Sequence, residues 1–192
     1  GRRVIMGRLP GPIKAPLLWG SGTLSAVLLL WMNRSFAWPF AESTGGRVMP
    51  DLDIESTGQG LLALKALLET RPEAAELLRS MHLGPDLLLP AVLGLFLILL
   101  MRRVAQGASL YGRPAERLLP AMIALPITYV LVDYSENIVS LILFPPSMPL
   151  PETASLLAEA LAWLTRIKFA ALVISGILIL RLPFGPRPAN SA

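Results

Sequence analysis

Tyr129, Asp133, Glu136, Asn137 and Ser140 stand at i, i+4, i+7, i+8 and i+11 in a chain that is otherwise sparing with polar groups. On a helix that spacing makes one continuous polar stripe. Two carboxylates on such a stripe are suited to general acid–base chemistry, proton uptake or cation binding. Further along, Thr165, Arg166 and Lys168 offer a hydroxyl and two counter-ions, and Asp86 supplies a third acid. Arg166 and Lys168 lie about 200° apart on a helix turning about 100° per residue, so both cannot face the same acids. One is expected to pair with Asp133 or Glu136, the other to snorkel outward or meet Glu159, and spacing alone does not say which.

Composition limits what this cluster can do. The 192 residues include no Cys and a single His, 54% are hydrophobic and only 16% are charged. Mean hydropathy is +0.60, whereas soluble domains carry about 25% charged residues. These values exclude a disordered chain, a disulfide-stapled module, a thiolate metal site and bis-His haem ligation. The sequence holds no Gly-rich phosphate loop, no G-x-S-x-G turn and no H-E-x-x-H helix, so an enzyme would lack an evident nucleophile or metal-ligand set. His82, without a second His, reads as an interfacial polar residue rather than a metal ligand. No cofactor is expected.

The elements that must position the cluster follow from span arithmetic. A hydrocarbon core of about 30 Å needs about 20 helical residues. Residues 15–33 meet that requirement without an ionisable group. The uncharged stretches 87–101, 118–132, 137–151 and 169–180 do not. A second span over 85–103 is completed by snorkelling of Arg102 and Arg103, with Asp86 at the opposite interface. A third, 118–144, must contain Asp133 and Glu136, and a fourth, 158–180, must contain Arg166 and Lys168. Ions facing lipid cost about 2.5–3.5 kcal/mol or more, so the polar stripe is expected to face the bundle interior. Close helix approach is expected at the small-residue pairs Ser21/Ser25, Gly22/Ala26 and Ala171/Ser175.

Basic residues set the expected orientation. They gather in segment 1–14 (Arg2, Arg3, Arg8, Lys14), in the loop 102–117 (Arg102, Arg103, Arg113, Arg117) and in the tail 183–192 (Arg187), preceded by Arg181. With four spans all three segments fall on one side, which places both termini in the cytoplasm. The net charge of +4 belongs to these flanks and is no argument for nucleic acid. Ser35-Phe36-Ala37 has the look of a leader-cleavage site, but an uncleaved anchor is the preferred reading of the first span.

Between the first two spans, 39–60 reads as a loop, and the alternation Asp51-Leu52-Asp53-Ile54-Glu55 reads as a solvated edge. Two short helices follow at about 57–69 and 72–82. They are expected to open on the capping boxes Ser56-x-x-Gln59 and Thr70-x-x-Glu73. Ala74, Leu77, Leu78 and Met81 make an apolar stripe on the second, and Gly84-Pro85 ends it, leaving Asp86 as N-cap of the next span. The pair is expected to lie on the membrane surface or cap the bundle.

Asp86-x-x-x-Pro90, Asp133-x-x-Glu136-Asn137 and Thr165-x-x-Lys168 resemble the span motifs of a group of bacterial four-helix inner-membrane proteins without an assigned activity. The likeness covers roughly residues 80–180, with the helices at 61–82 also similar; Leu89 stands where the group commonly has an aromatic. The resemblance implies a bacterial inner-membrane location and a single site containing Asp86, Asp133, Glu136, Asn137 and Lys168. The expectation is therefore an all-α, integral-membrane four-helix bundle over residues 15–182 with an outer amphipathic helical pair. Asp86, Asp133, Glu136, Asn137, Thr165, Arg166 and Lys168 form its buried polar cluster. The favoured role is a non-enzymatic accessory or assembly subunit whose cluster is a structural ion-pair network. The alternative is binding of a proton, a cation or a lipid headgroup by the same acids. Expected partners are membrane lipids and other membrane subunits.

Overall fold

The computed structural model describes residues 15–110 and 112–184. The basic segment 1–14 and most of the tail 183–192 lie outside the described residues. Four helical runs, Ala15–Ser43, Pro72–Ala105, Ala115–Leu143 and Pro151–Arg181, are long and apolar enough to cross a membrane. With almost no sheet, the protein is an all-α helical bundle of multi-pass membrane type.

The first run is longer than the sequence implies. Helix α1 (Ala15–Met32) continues through a π-helical turn (Asn33–Ala37) into α2 (Trp38–Ser43), so residues 39–43 are helix rather than loop. Pro39 lacks an N–H, and in a regular α-helix its ring would press on the carbonyl of Ser35. The wider π turn absorbs that conflict without ending the helix. A turn at Pro50–Leu52 then leads to α3 (Gly58–Glu69) and α4 (Pro72–Leu83).

Both helices exist, but their caps differ from the expected boxes. Thr57, not Ser56, caps α3, its hydroxyl accepting from the Gly60 N–H at 3.1 Å. Thr70 closes α3 instead of opening α4, donating to the Leu67 carbonyl at 2.8 Å. Helix α4 starts at Pro72, whose missing N–H would be an orphan in the first turn anyway. Arg71 reaches back to the Ser43 carbonyl at 3.1 Å, tying the pair to the end of α2. Leu61, Leu64, Leu68, Leu78 and Met81 are buried against Phe40, Leu143, Phe144, Ala158 and Leu161, so the pair caps one end of the bundle. Each fully buried side chain of this size contributes about 1.5–3 kcal/mol.

After a turn at Pro85–Leu87, α5 (Leu89–Ala105) runs to the other end. A two-residue-a-side hairpin, β1 (Ser109–Leu110) with β2 (Arg113–Pro114), closes that end. Helix α6 (Ala115–Leu143) returns, and α7 (Pro151–Arg181) begins before the expected start of the fourth span at 158, because Pro151 suits the first helical turn. Helix α6 packs between α5 and α7, and α1 packs on α5 without comparable contact to α7. Glycines set the close approaches: a Cβ at Gly94 would collide with Val130 of α6, and one at Gly22 with Phe96 of α5. Ser21, Ser25, Ala171 and Ser175 are buried. Leu24, Val27, Leu131, Ile138, Val173 and Ile177 point outward, as side chains in contact with lipid do.

A candidate binding site in the buried polar network

Helix α6 turns its whole polar stripe inward: Tyr129, Asp133, Glu136, Asn137 and Ser140 are all buried. Helix α7 meets it with Thr165 and Lys168. The Lys168 ammonium sits 3.2 Å from Asp133 Oδ1 and also pairs with Glu136 Oε2. Glu136 is fully buried, and its other oxygen accepts from the Thr165 hydroxyl. One cation thus serves two carboxylates, and the arrangement holds α6 and α7 in register.

A second set of bonds reaches the capping helices. His82, the last-turn residue of α4, places Nδ1 2.9 Å from Asp86 Oδ2 and Nε2 2.9 Å from Ser140 Oγ. Asp86 is therefore turned back onto His82 and does not cap α5, whose first turn has no side-chain cap. Asn137 Nδ2 lies 3.5 Å from the Asp86 carbonyl, and the Tyr134 hydroxyl donates to the Leu87 carbonyl at 2.8 Å. Ser140, His82 and Asp86 have the order of an acyl-transfer triad. Yet Ser140 lies inside a regular helix, where neighbouring N–H groups are engaged, and the void beside Ser140 and His82 is about 10 Å³. That is room for about one water molecule, not for an acyl group. The trio links α4 to α6.

The space that does exist lies on the other side of the network. A cavity of about 260 Å³ is bounded by α1, α5, α6, α7 and the Pro50–Leu52 turn. Its polar wall holds Asp51, Asp86, Asp133, Lys168 and Tyr129, while most of the remaining wall is apolar. Asp51 Oδ1 and Asp133 Oδ2 are buried without a hydrogen-bond partner, although the two residues are only 6% and 5% exposed. Burial raises the Asp51 carboxyl above the usual carboxylate range, an effect that the charge of Lys168 partly offsets. Unpartnered buried acceptors of this kind call for a donor. Among the described residues no group of three or more His, Cys, Asp and Glu side chains is arranged to hold a metal ion.

The structure buries Asp86, Asp133, Glu136, Asn137, Thr165 and Lys168 in two bonded sets that meet on α6: Lys168 with Asp133, Glu136 and Thr165, and Asp86 with His82, Ser140 and Asn137. Arg166 stands apart. Its position about 200° from Lys168 turns it to the flank, where it donates to the Ser56 carbonyl at 2.9 Å and lies 5.2 Å from the Trp163 ring. Two members escaped the sequence reading. His82 had a signal in its i, i+4 spacing to Asp86, obscured by the intervening Gly84-Pro85. Asp51 had none, because the alternating pattern around it reads as a solvated edge and only Asp51 of the three acids is buried. In comparisons with protein-family models, curated proteins and solved structures, nothing matches this chain.

Proposed function

We propose that the protein is a non-enzymatic, multi-pass protein of a bacterial inner membrane, with both termini in the cytoplasm, that binds a cationic group in the cavity beside Lys168. The observation that carries this reading is a cavity lined by three acids, Asp51, Asp86 and Asp133, beside the single ammonium of Lys168. Asp51, Asp86, Asp133 and Glu136 face Lys168 and His82, and the excess is acidic even if the imidazole is charged. An uncompensated buried carboxylate is costly, and a bound cation relieves that cost. The basic segments and the span arithmetic support the orientation and location.

A second reading, an accessory or assembly subunit with a purely structural network, is favoured by a different observation: Lys168 already serves Asp133 and Glu136, and His82 already serves Asp86. Native mass spectrometry of the protein extracted in mild detergent separates the two. Binding predicts a bound mass that survives detergent exchange and is lost in Asp51→Asn. Bare protein for both wild type and variant, together with strong destabilisation by Asp133→Asn and Glu136→Gln, would establish the structural reading instead.

A further inference from the structure

The end of the bundle away from the capping helices carries an unbalanced charge. Arg102 and Arg103 lie in the last turn of α5, Arg113 in β2, Arg117 in the first turn of α6 and Arg181 at the end of α7. Glu116 is the only acid in 102–117 and 178–184, whereas 33–85 mixes five bases with seven acids. Among the described residues, no carboxylate lies within ion-pair distance of Arg102, Arg103, Arg113 or Arg117.

These arginines do not hang on a loose loop. Met101, Ala105, Leu110, Ala115 and Leu182 belong to one hydrophobic cluster, and every arginine named stands within two residues of one of them. The hairpin is pinned to that cluster: Ser109 and Leu110 of β1 are buried, Arg113 and Pro114 of β2 are exposed, and the Ala115 N–H donates to the Ala108 carbonyl at 3.0 Å. Arg103, Arg113, Arg117 and Arg181 are exposed, and Arg102 is half-buried. Two local explanations fall short. The negative end of the α5 dipole suits Arg102 and Arg103, but Arg113 and Arg117 stand at the start of α6, where a helix disfavours positive charge. Snorkelling accounts for arginines on the spans, but not for Arg113, which lies in the hairpin outside them.

Depth decides the partner. Arg102 and Arg103 lie near the end of one membrane-crossing run, Arg117 near the start of the next and Arg181 at the end of the last. The headgroup layer beyond the hydrocarbon is about 5–8 Å deep, within reach of an arginine side chain at the end of a span. A guanidinium offers parallel N–H donors that match two oxygens of a phosphodiester. A zwitterionic headgroup brings its own ammonium to that phosphate; an anionic one does not. Each base beside a span favours an anionic surface by roughly fivefold.

We infer that this end of the bundle is a docking surface for anionic phospholipid headgroups of the surrounding bilayer, their phosphodiesters held by Arg102, Arg103, Arg113 and Arg117. None of these arginines lines the cavity, so the two sites stand or fall separately.

The test is native mass spectrometry of the full chain released from nanodiscs holding equal amounts of phosphatidylglycerol and phosphatidylcholine with the same acyl chains. Wild type at low ionic strength is expected to retain phosphatidylglycerol about tenfold or more over phosphatidylcholine. That preference should shrink several-fold when the nanodiscs are equilibrated in about 0.5 M salt, which screens charges beyond a few ångströms. Arg103→Gln with Arg113→Gln, both exposed, should fold and lower the preference several-fold, and adding Arg102→Gln and Arg117→Gln should abolish it. Should the quadruple variant fail to fold, the double variant carries the test alone. Arg34→Gln with Arg47→Gln, exposed at the other end, should leave the preference unchanged. Equal retention of the two lipids by wild type, or a preference untouched by the Arg103 and Arg113 changes, would overturn the proposal. An equal loss in the Arg34 and Arg47 pair would overturn it too, reducing the effect to net charge. Binding of polyglutamate in pure phosphatidylcholine nanodiscs, with no preference for phosphatidylglycerol, would assign the arginines to a soluble acidic partner instead.

Discussion

Lys168→Met is the most informative single change, because it removes the charge and leaves most of the stem volume. In the wild type Lys168 has a side-chain exposure of 7%, and the acids it serves have exposures of 8% (Asp133) and 0% (Glu136). Breaking a buried pair by removing one partner costs about 3–5 kcal/mol, because the remaining charge stays buried and uncompensated. Glu136 keeps the Thr165 hydroxyl as donor, whereas Asp133 keeps no comparable partner. For a chain of this size about 1 kcal/mol corresponds to about 2–4 °C, so Tm should fall by roughly 6–20 °C. The assay is reversible unfolding in mixed micelles, followed by circular dichroism. The triple variant Lys168→Met, Asp133→Asn, Glu136→Gln removes all three charges and should recover most of the loss. A cost below about 1 kcal/mol for the single variant, or a triple variant no better than the single, would refute the claim that this buried ion cluster is energetically coupled.

Three further outcomes follow from the same geometry. His82→Ala strips the donor from buried Asp86 and should cost about 2–5 kcal/mol, against about 1 kcal/mol for Ser140→Ala, both read from denaturant unfolding; equal effects would contradict the assigned bonds. Burial raises the Asp51 carboxyl in a setting where Lys168, His82 and Asp86 face it. For an acid raised on folding, stability is greatest below its unfolded pKa of about 3.9 and is lost as pH rises through the folded value. Asp51→Asn should therefore be more stable than wild type at neutral pH, with the difference closing as pH falls towards 4; a difference that widens on acidification would reverse the argument. For topology, a cysteine replacing Gly112 in this Cys-free chain should resist an impermeant thiol reagent in whole cells, while one at exposed Glu69 should react. The opposite pattern would invert the orientation.

The spans were legible because the membrane demands an uninterrupted apolar length, and the acids inside the third span were legible because that length could not be met without them. The inward direction of the stripe follows from the same constraint. The errors were local in sequence but tertiary in cause. Ser56 is kept outside α3 because its carbonyl is held by Arg166, a residue of the last helix, so the cap passes to Thr57. Asp86 has the side chain of an N-cap, yet the Pro85–Leu87 turn sets it two residues before Leu88, which flanks α5, and delivers it to His82. Asp51 sits in a pattern that any solvated edge would show, and only the docking of its turn on α7 buries it. Periodicity reports which face of an element is apolar; it cannot report a contact made by a residue between elements.

Those contacts share a direction. Arg166 to Ser56, His82 to Ser140 and Arg71 to Ser43 each join the capping segment to a helix run that crosses the membrane. Asp51 lies in that same segment, between α2 and α3, and lines the cavity together with Asp86 and with Asp133 of α6. A cation bridging the Asp51 and Asp133 carboxylates would add one more tie of the same kind. Ligand binding and docking of the cap are then linked equilibria: whatever holds the cap down raises affinity, and the ligand holds the cap down by the same factor. A weakened tie remote from the cavity, such as Arg71→Ala, should therefore lower ligand affinity although Arg71 touches nothing in the cavity wall. A site that was merely a rigid slot between helices would show no such dependence.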